Sequence, residues 1–403
     1  MIKTIQNKSI KSLGKRFVRV WADTSKRSSS LNVAEDIKSS LFNEITPENG
    51  NGAASIPDYE SKLRYHSPIG IHEAFEESYK ILSEDANVKY QQLEKETDPK
   101  KIENLQIEAE QYNPEVLYNA EFNHDSLNKT QPIYRQLLQK KWQDKDLMIL
   151  MQRLETMHVI PDTLPTLNPT ADVKIKFNHN TDPRFIGWIE PGTKLPAFAV
   201  SQPPTIQIND FENKNQDELY TVLLVNPDVP DLHANTYQTN LHYGLVNISL
   251  NNINDTIKPQ WLLNNEDCII QDYLPLTPFK NLPYQRACLW VFKQNGRSEV
   301  TKKSIKSRSF DIGKFVTQNN LNPIGAHLWR QEFDRSVNSI REMYGLPKGE
   351  VFLKFRHDEP INTEFLRIEL PYKFNNENRH KYEKQASEIE AVAEKEHNES
   401  ESN

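Results

Sequence analysis

No stretch of this sequence approaches the ~20 consecutive apolar residues that a helix needs to cross a bilayer. The longest apolar runs are YTVLLV at 220–225 and MILM at 148–151, so no membrane-spanning segment is expected. Cysteine is nearly absent: Cys268 and Cys288 stand alone, without a CxxC pair. That excludes a disulfide-built domain and a cysteine zinc site. Cys288 lies inside the apolar run RACLWVF and reads as a buried, reduced core thiol. GxSxG, HExxH, the Walker loop and GxGxxG are all missing. His158, His179, His233 and His327 are scattered without ligand spacing, so neither catalytic residues nor a metal or cofactor are expected.

Acids are missing from one place in particular. The first 30 residues carry eight Lys or Arg against the single acid Asp23, then run into serines. Ile2, Ile5, Ile10, Leu13, Phe17 and Val20 give a helix an oily side. This is the composition of a mitochondrial transit peptide, here 1–30; a basic arm that contacts nucleic acid is the alternative. The segment contributes +7 to a chain of net charge -7, which leaves the remainder near -14. A body this acidic cannot hold RNA by overall electrostatics, so any such contact must be local.

Beyond it, 31–65 is polar and punctuated by Gly, Asn and Pro, a linker in composition. A helical extension is predicted over 66–165. Sparse apolar residues such as Phe75, Tyr79 and Leu82 lie among charges in 71–113, where Pro99 after Asp98 opens a second helix. These helices carry too little apolar surface for a core of their own and are expected to lie across something else. A stronger helix starts at Thr130 and Pro132, and Leu147, Leu150, Leu154 and Met157 space its apolar stripe. Arg135, Lys140, Lys141, Lys145 and Arg153 line its other side: a solvated row by default, and the best local RNA-contact candidate. The prolines of IPDTLPTLNPT end it.

From Asp172 the period becomes strand-like, with strands expected at 173–177, 205–208, 220–225, 242–250 and 286–294. Pro/Asn/Asp loops separate them, with no helical crossovers between. The fold class is therefore mainly β with a helical extension: an antiparallel β sandwich over 170–350, closed by helices at 310–320 and 328–344. A last extended stretch and an acidic tail occupy 351–403.

The segment LLVNPDVPD…YQTNLHYGLVNI resembles the signature of the phosphatidylethanolamine-binding protein family, in which a strand ends in an Asp-Pro-Asp-x-Pro turn and resumes at a histidine. RSFDIGKFVTQNNLNPIGAHLWRQEFDRSV is similar to that family's closing helices, with Asp334 in its Phe/Trp-Asp position. The extension motifs GIHEAFEESYKIL, PIYRQLLQKKW and VIPDTLPTLNPTADVKIKF are similar to the mitochondrial ribosomal branch of this fold, the large-subunit protein 38 family, protein 35 in yeasts.

Ligand-binding members of the family build an anion pocket from a carboxylate, a histidine, tyrosine donors and a Gly-rich loop. Carried over by position, that pocket keeps Asp228, Tyr237 and His242, but its first carboxylate is Asn226. A neutral amide cannot favour a protonated imidazole as an anion does. Its loop corresponds to YLPLTPFKNLPYQRA, which has no glycine, and two later donors fall at Gln285 and Ala287. His242 shares strand parity with Val246, Ile248 and Leu250, which points it inward, held by backbone or by Asp228. The pocket is expected to be inactive.

The resemblance thus implies a non-enzymatic constituent of the mitochondrial large ribosomal subunit, in the matrix and at the central protuberance. Its partners would be neighbouring ribosomal proteins and, locally, ribosomal RNA. The alternative is a matrix regulator that binds an anion or a phospholipid headgroup.

Overall fold

The computed structural model describes residues 21–22, 27–33, 59–64, 68–122, 127–213, 217–302, 305–352 and 387–391. Residues 1–350 form one compact unit and 351–403 a second. The expected last extended stretch and most of the acidic tail lie outside the described residues, as do positions 1–20 and most of the linker.

The extension runs α1 (Tyr59–Arg64), α2 (Ile71–Leu93), α3 (Pro99–Glu110), α4 (Pro114–Phe122), α5 (Pro132–Lys141) and α6 (Leu147–Thr156). Its punctuation is local chemistry. Asp98 caps α3 by accepting from Lys100 N, and Pro99 takes the first position, where its missing N–H costs nothing. Between α5 and α6 the chain widens into a π turn, Trp142–Asp146. The extra residue per turn rotates the helix face, and Trp142 is buried while its neighbours are exposed.

These helices do build small cores, because the chain before them supplies the missing apolar surface. Trp21 and Ala22 pack with Tyr79, Ala86, Tyr90 and Ala109, and Leu31 packs with Val116, Ile133 and Tyr134. The Trp21 indole donates to the Ala109 carbonyl at 2.8 Å. Arg27 pairs at 2.9 Å with Glu110, whose carboxylate also accepts from Tyr90 and Asn113. Trp21, Ala22 and residues 27–33 thus form a strap packed on the extension.

Among the described residues nine strands follow: β1 (Ala171–Lys176), β2 (Thr193–Lys194), β3 (Thr205–Asp210), β4 (Glu218–Asp231), β5 (Thr236–Leu250), β6 (Thr256–Ile257), β7 (Ile269–Gln271), β8 (Gln285–Lys293) and β9 (Asn322–Gln331), with the short helix α7 (Pro259–Leu263) between β6 and β7. They form a three-stranded sheet, β1-β3-β6, and a six-stranded sheet, β2-β9-β8-β4-β5-β7. The larger sheet is mixed, since β2 runs parallel to β9 while the other pairs are antiparallel. That corrects the expectation of an all-antiparallel arrangement.

One face of the large sheet shares a core with the small one, through Val222, Leu224, Leu289 and Val291 against Val173, Ile175, Ile206 and Ile208. The other face, with Leu223, Val225, Trp290 and Phe292, packs under Leu150 and Leu154 of α6 and under Ile312 and Phe315 of α8 (Ile312–Gln318). Burial on both faces explains why β4 and β8 read as unbroken apolar runs rather than alternating ones. At Gly325 the sheets nearly touch: a Cβ there would stand 2.6 Å from a Val173 methyl and 3.0 Å from the Ala171 carbonyl.

The expected helix at 328–344 is divided. Residues 322–331 are β9, paired along β8, and only α9 (Ser336–Met343) is helical. Its apolar positions fit either period, and pairing with β8 decided in favour of the strand. Closure by two consecutive C-terminal helices is thus replaced by one helix on each side of the last strand.

Candidate functional site

The bulged ends of β4 and β5 and the start of β8 bring most of the predicted pocket residues together. Asn226 Oδ1 accepts from the Asp228 backbone N–H at 3.0 Å, the local bond that shapes the Asn-Pro-Asp-Val-Pro turn. Its Nδ2 donates to Gln285 Oε1 at 3.1 Å, and Gln285 Nε2 donates on to the Asp228 carbonyl at 3.3 Å. Asn226 and Gln285 are both buried, and Ala287 beside them is wholly so. The hydrogen bonds of the Asn226 amide are thus spent inside the cluster.

Asp228 is committed elsewhere. The sequence reading missed its partner, Arg286, which grips it in a fork: Nη2 to Oδ1 at 2.5 Å and Nε to Oδ2 at 2.9 Å, with the Arg286 backbone N–H adding 2.8 Å to Oδ2. The remaining nitrogen, Nη1, donates to the carbonyls of Met157 and His158 and to Asp162 at 2.7–2.9 Å. Burial works against the guanidinium's charge, but the bonds to Asp228 and Asp162 outweigh it and hold its pKa above the ordinary range. The fork geometry suits arginine and no other cation. Asp228 is thus one jaw of a clamp on the chain that leaves α6. The only sequence signal was the Arg beside Gln285, and it named no partner.

His242 is buried, and its Nδ1 lies 2.9 Å from the Leu274 carbonyl, to which it must donate because a carbonyl only accepts. Burial pulls its pKa down to about 4, against a smaller upward pull from that carbonyl. The imidazole is neutral at physiological pH and is held by backbone, not by Asp228. The parity argument behind its orientation fails further along β5: Val246 joins one core, while Leu245, Ile248 and Leu250 join the other. Asn247, at φ +54°, switches the phase. Tyr237 is 63% exposed and opposes Pro230 at the outer end of the hairpin, so it does not join the cluster.

The glycine-free loop between β7 and β8 is pinned down. Tyr273 donates to the Val200 carbonyl at 2.6 Å, and Arg341 donates to Thr277 while lying over the Phe279 ring. Asp334 caps α9 through the Ser336 and Val337 N–H groups and accepts from Ala197 N at 2.7 Å. A phosphate would need several converging donors. Here the histidine is neutral and the arginine is spent on two carboxylates and two carbonyls. Among the described residues no group of three or more His, Cys, Asp or Glu is arranged to hold a metal ion.

The basic row divides. Arg135 is tied to Glu103 at 2.6 Å with its side chain 11% exposed. Lys140, Lys141 and Lys145 stand exposed around the π turn, Lys141 with Glu121 at 3.9 Å. Arg153 is exposed farther along, its stem against the Gly192 turn.

This frame is that of a phosphatidylethanolamine-binding-protein-type domain, and residues 186–328 match the phosphatidylethanolamine-binding protein family model. The chain is also 28% identical, over 277 residues, to the large ribosomal subunit protein mL38 of Schizosaccharomyces pombe. That match covers 66% of this chain and 85% of the relative, so the chain is similar to mL38 well beyond the segment that matches the phosphatidylethanolamine-binding protein model. Among solved structures, the phosphatidylethanolamine-binding protein of Plasmodium vivax is similar at 16% identity, with 46% of this chain and 97% of that one covered and a TM-score of 0.34. A carboxypeptidase Y inhibitor in complex with its cognate proteinase is similar at 16% identity over 48% of this chain and 99% of that one, with a TM-score of 0.36.

Proposed function

We propose that this chain is a structural, non-enzymatic constituent of the large subunit of the mitochondrial ribosome, working in the matrix at the central protuberance. The likeness to mL38 carries the reading, because its 277 aligned residues cannot fit within 186–328 and so extend into the flanking chain. The self-satisfied polar cluster supports it: Asn226, Gln285, Asp228 and Arg286 bond to one another and to the extension, which suits a rigid block better than a binding pocket. In this reading the two sheets are the family's sandwich, and the extension, 66–165, reaches over neighbouring proteins. A body near net charge -14 favours basic protein neighbours, since complementary potentials aid docking. Ribosomal RNA is touched locally, at Lys140, Lys141 and Lys145. Among the described residues no helix is long and apolar enough to cross a membrane.

The removable leader is shorter than the basic composition implies. Trp21 and Leu31 are 1% and 3% exposed, so the mature chain keeps the strap and cleavage falls before Trp21. One experiment tests both statements. Tagged protein from mitochondria should sediment with the large subunit at moderate salt and begin upstream of Trp21. Sedimentation at the top of the gradient rejects the ribosomal role, and a mature start beyond Leu31 rejects the strap. The alternative, an anion- or headgroup-binding regulator, lacks a charged imidazole and an uncommitted arginine at the cluster.

A further inference from the structure

A cleft of about 320 Å³ opens between the extension and the small sheet, sharing no lining residue with the polar cluster. That is within the ~300–1,000 Å³ of small-molecule sites. Its floor is the outward face of the small sheet. Val173, Ile175, Ile206 and Ile208 point into the core, which leaves the alternate positions Asp172, Lys174, Gln207 and Asn209 to face the cleft. Strand register sets these in two cross-strand pairs, Asp172 with Asn209 and Lys174 with Gln207. Three aromatic rings complete it. Trp142, turned inward by the π turn, lies 5.2 Å from Phe211, and Trp188 stands 44% exposed at the rim beneath the Lys176 ammonium. Lys141 and Lys174 reach it with side chains 55% and 39% exposed.

We propose that this cleft binds a single unpaired nucleotide of an RNA strand, with its base against the exposed Trp188 ring and its phosphate at Lys141 and Lys174. The parts match what single-stranded RNA offers: a flat π face, a polar edge and a charged backbone. Amides and a carboxylate are groups that read a base edge: Asn209 accepts from Lys129, Gln207 donates to Asp255, and Asp172, its pKa raised by burial against the opposing pull of Lys174, pairs with that lysine at 3.1 Å. A lipid headgroup has no use for the aromatic lining. The inference deepens the ribosomal reading by naming the RNA feature held, and rests on it for the source of the RNA.

The test titrates a fluorescent ten-nucleotide oligouridylate and oligoadenylate into the full chain. Trp188→Ala is expected to weaken binding about five- to a hundredfold while Trp188→Phe retains most of it. Lys141→Gln should lower the salt slope by about 0.7. Circular dichroism verifies that each variant is folded, which the exposure of Trp188 favours. Wild-type affinity in Trp188→Ala overturns the proposal, as does equal competition by duplex RNA. Tighter binding of free uridine or adenosine monophosphate than of the oligonucleotides overturns it in favour of a metabolite. In assembled subunits, ultraviolet cross-links from the Trp188 peptide should reach RNA, and cross-links to protein alone overturn the assignment. Failure of the ribosomal reading appears separately, as loss of cosedimentation, and leaves the oligonucleotide result standing.

Discussion

Replacing Arg286 by methionine keeps most of the side-chain volume but removes the fork. Asp228, with a side chain 19% exposed, then retains only the Arg286 backbone N–H among the donors described above, while Met157 and His158 lose a donor to their carbonyls. Removing one partner of a buried pair costs about 3–5 kcal/mol; the residual exposure here brings the expectation to about 3 kcal/mol. If residues 170–350 unfold together, an unfolding entropy of about 2.1 cal/mol/K per residue converts this to a fall in melting temperature of about 8 °C. Asp228→Asn in the Arg286→Met background should recover about half of the loss, because the orphaned charge goes with its partner. Arg286→Lys should recover less, since an ammonium cannot make the fork. Scanning calorimetry measures each variant, and limited proteolysis across 157–170 reports whether the chain after α6 has come loose. Single substitutions that each cost under about 0.5 kcal/mol, or a double mutant that is simply additive, would refute the clamp.

Two more outcomes follow from burial and close approach. Burial pulls both His242 and His327 down to about 4 from an ordinary 6.5. The unfolded chain therefore binds more protons between those values, and stability is full above pH 6.5 and falls as pH drops toward 4, by at most about 3 kcal/mol per histidine. His242→Gln, measured by urea denaturation from pH 7.5 to 4.5, should show a shallower loss; an unchanged slope refutes the assignment. At Gly325, an added Cβ meets the Val173 methyl and the Ala171 carbonyl, so Gly325→Ala should destabilise by about 1–3 kcal/mol, and a neutral midpoint in denaturant would show that the sheets separate freely there.

Much of this protein was legible in the order of its residues. Apolar runs bounded by Pro and Asn marked β1, β3, β4, β5 and β8, and Asp98-Pro99 marked the start of α3, because these signals are local and the backbone obeys them locally. The turn at Asn226, the histidine at 242 and the substitutions at Gln285 and Ala287 were enough to expect a pocket without its chemistry. Less was legible wherever the deciding partner lies far along the chain. Asn322–Gln331 carries a pattern that suits helix or strand, and only the unpaired edge of β8 made it β9. The burial of Trp21 and Leu31 was not legible, because Tyr90 and Ala109 for the one and Val116 and Ile133 for the other lie far along the chain. Arg286 was one cation among many, and its meaning came from Asp228 on one side and from Met157, His158 and Asp162 on the other. The sequence by itself determined most of the strands and helices and the residue types at the turn, Asn226, Asp228 and His242. The tertiary structure alone decided which groups hold them, because hydrogen bonds and ion pairs reach only about 3–4 Å, and which groups come that close is settled by packing.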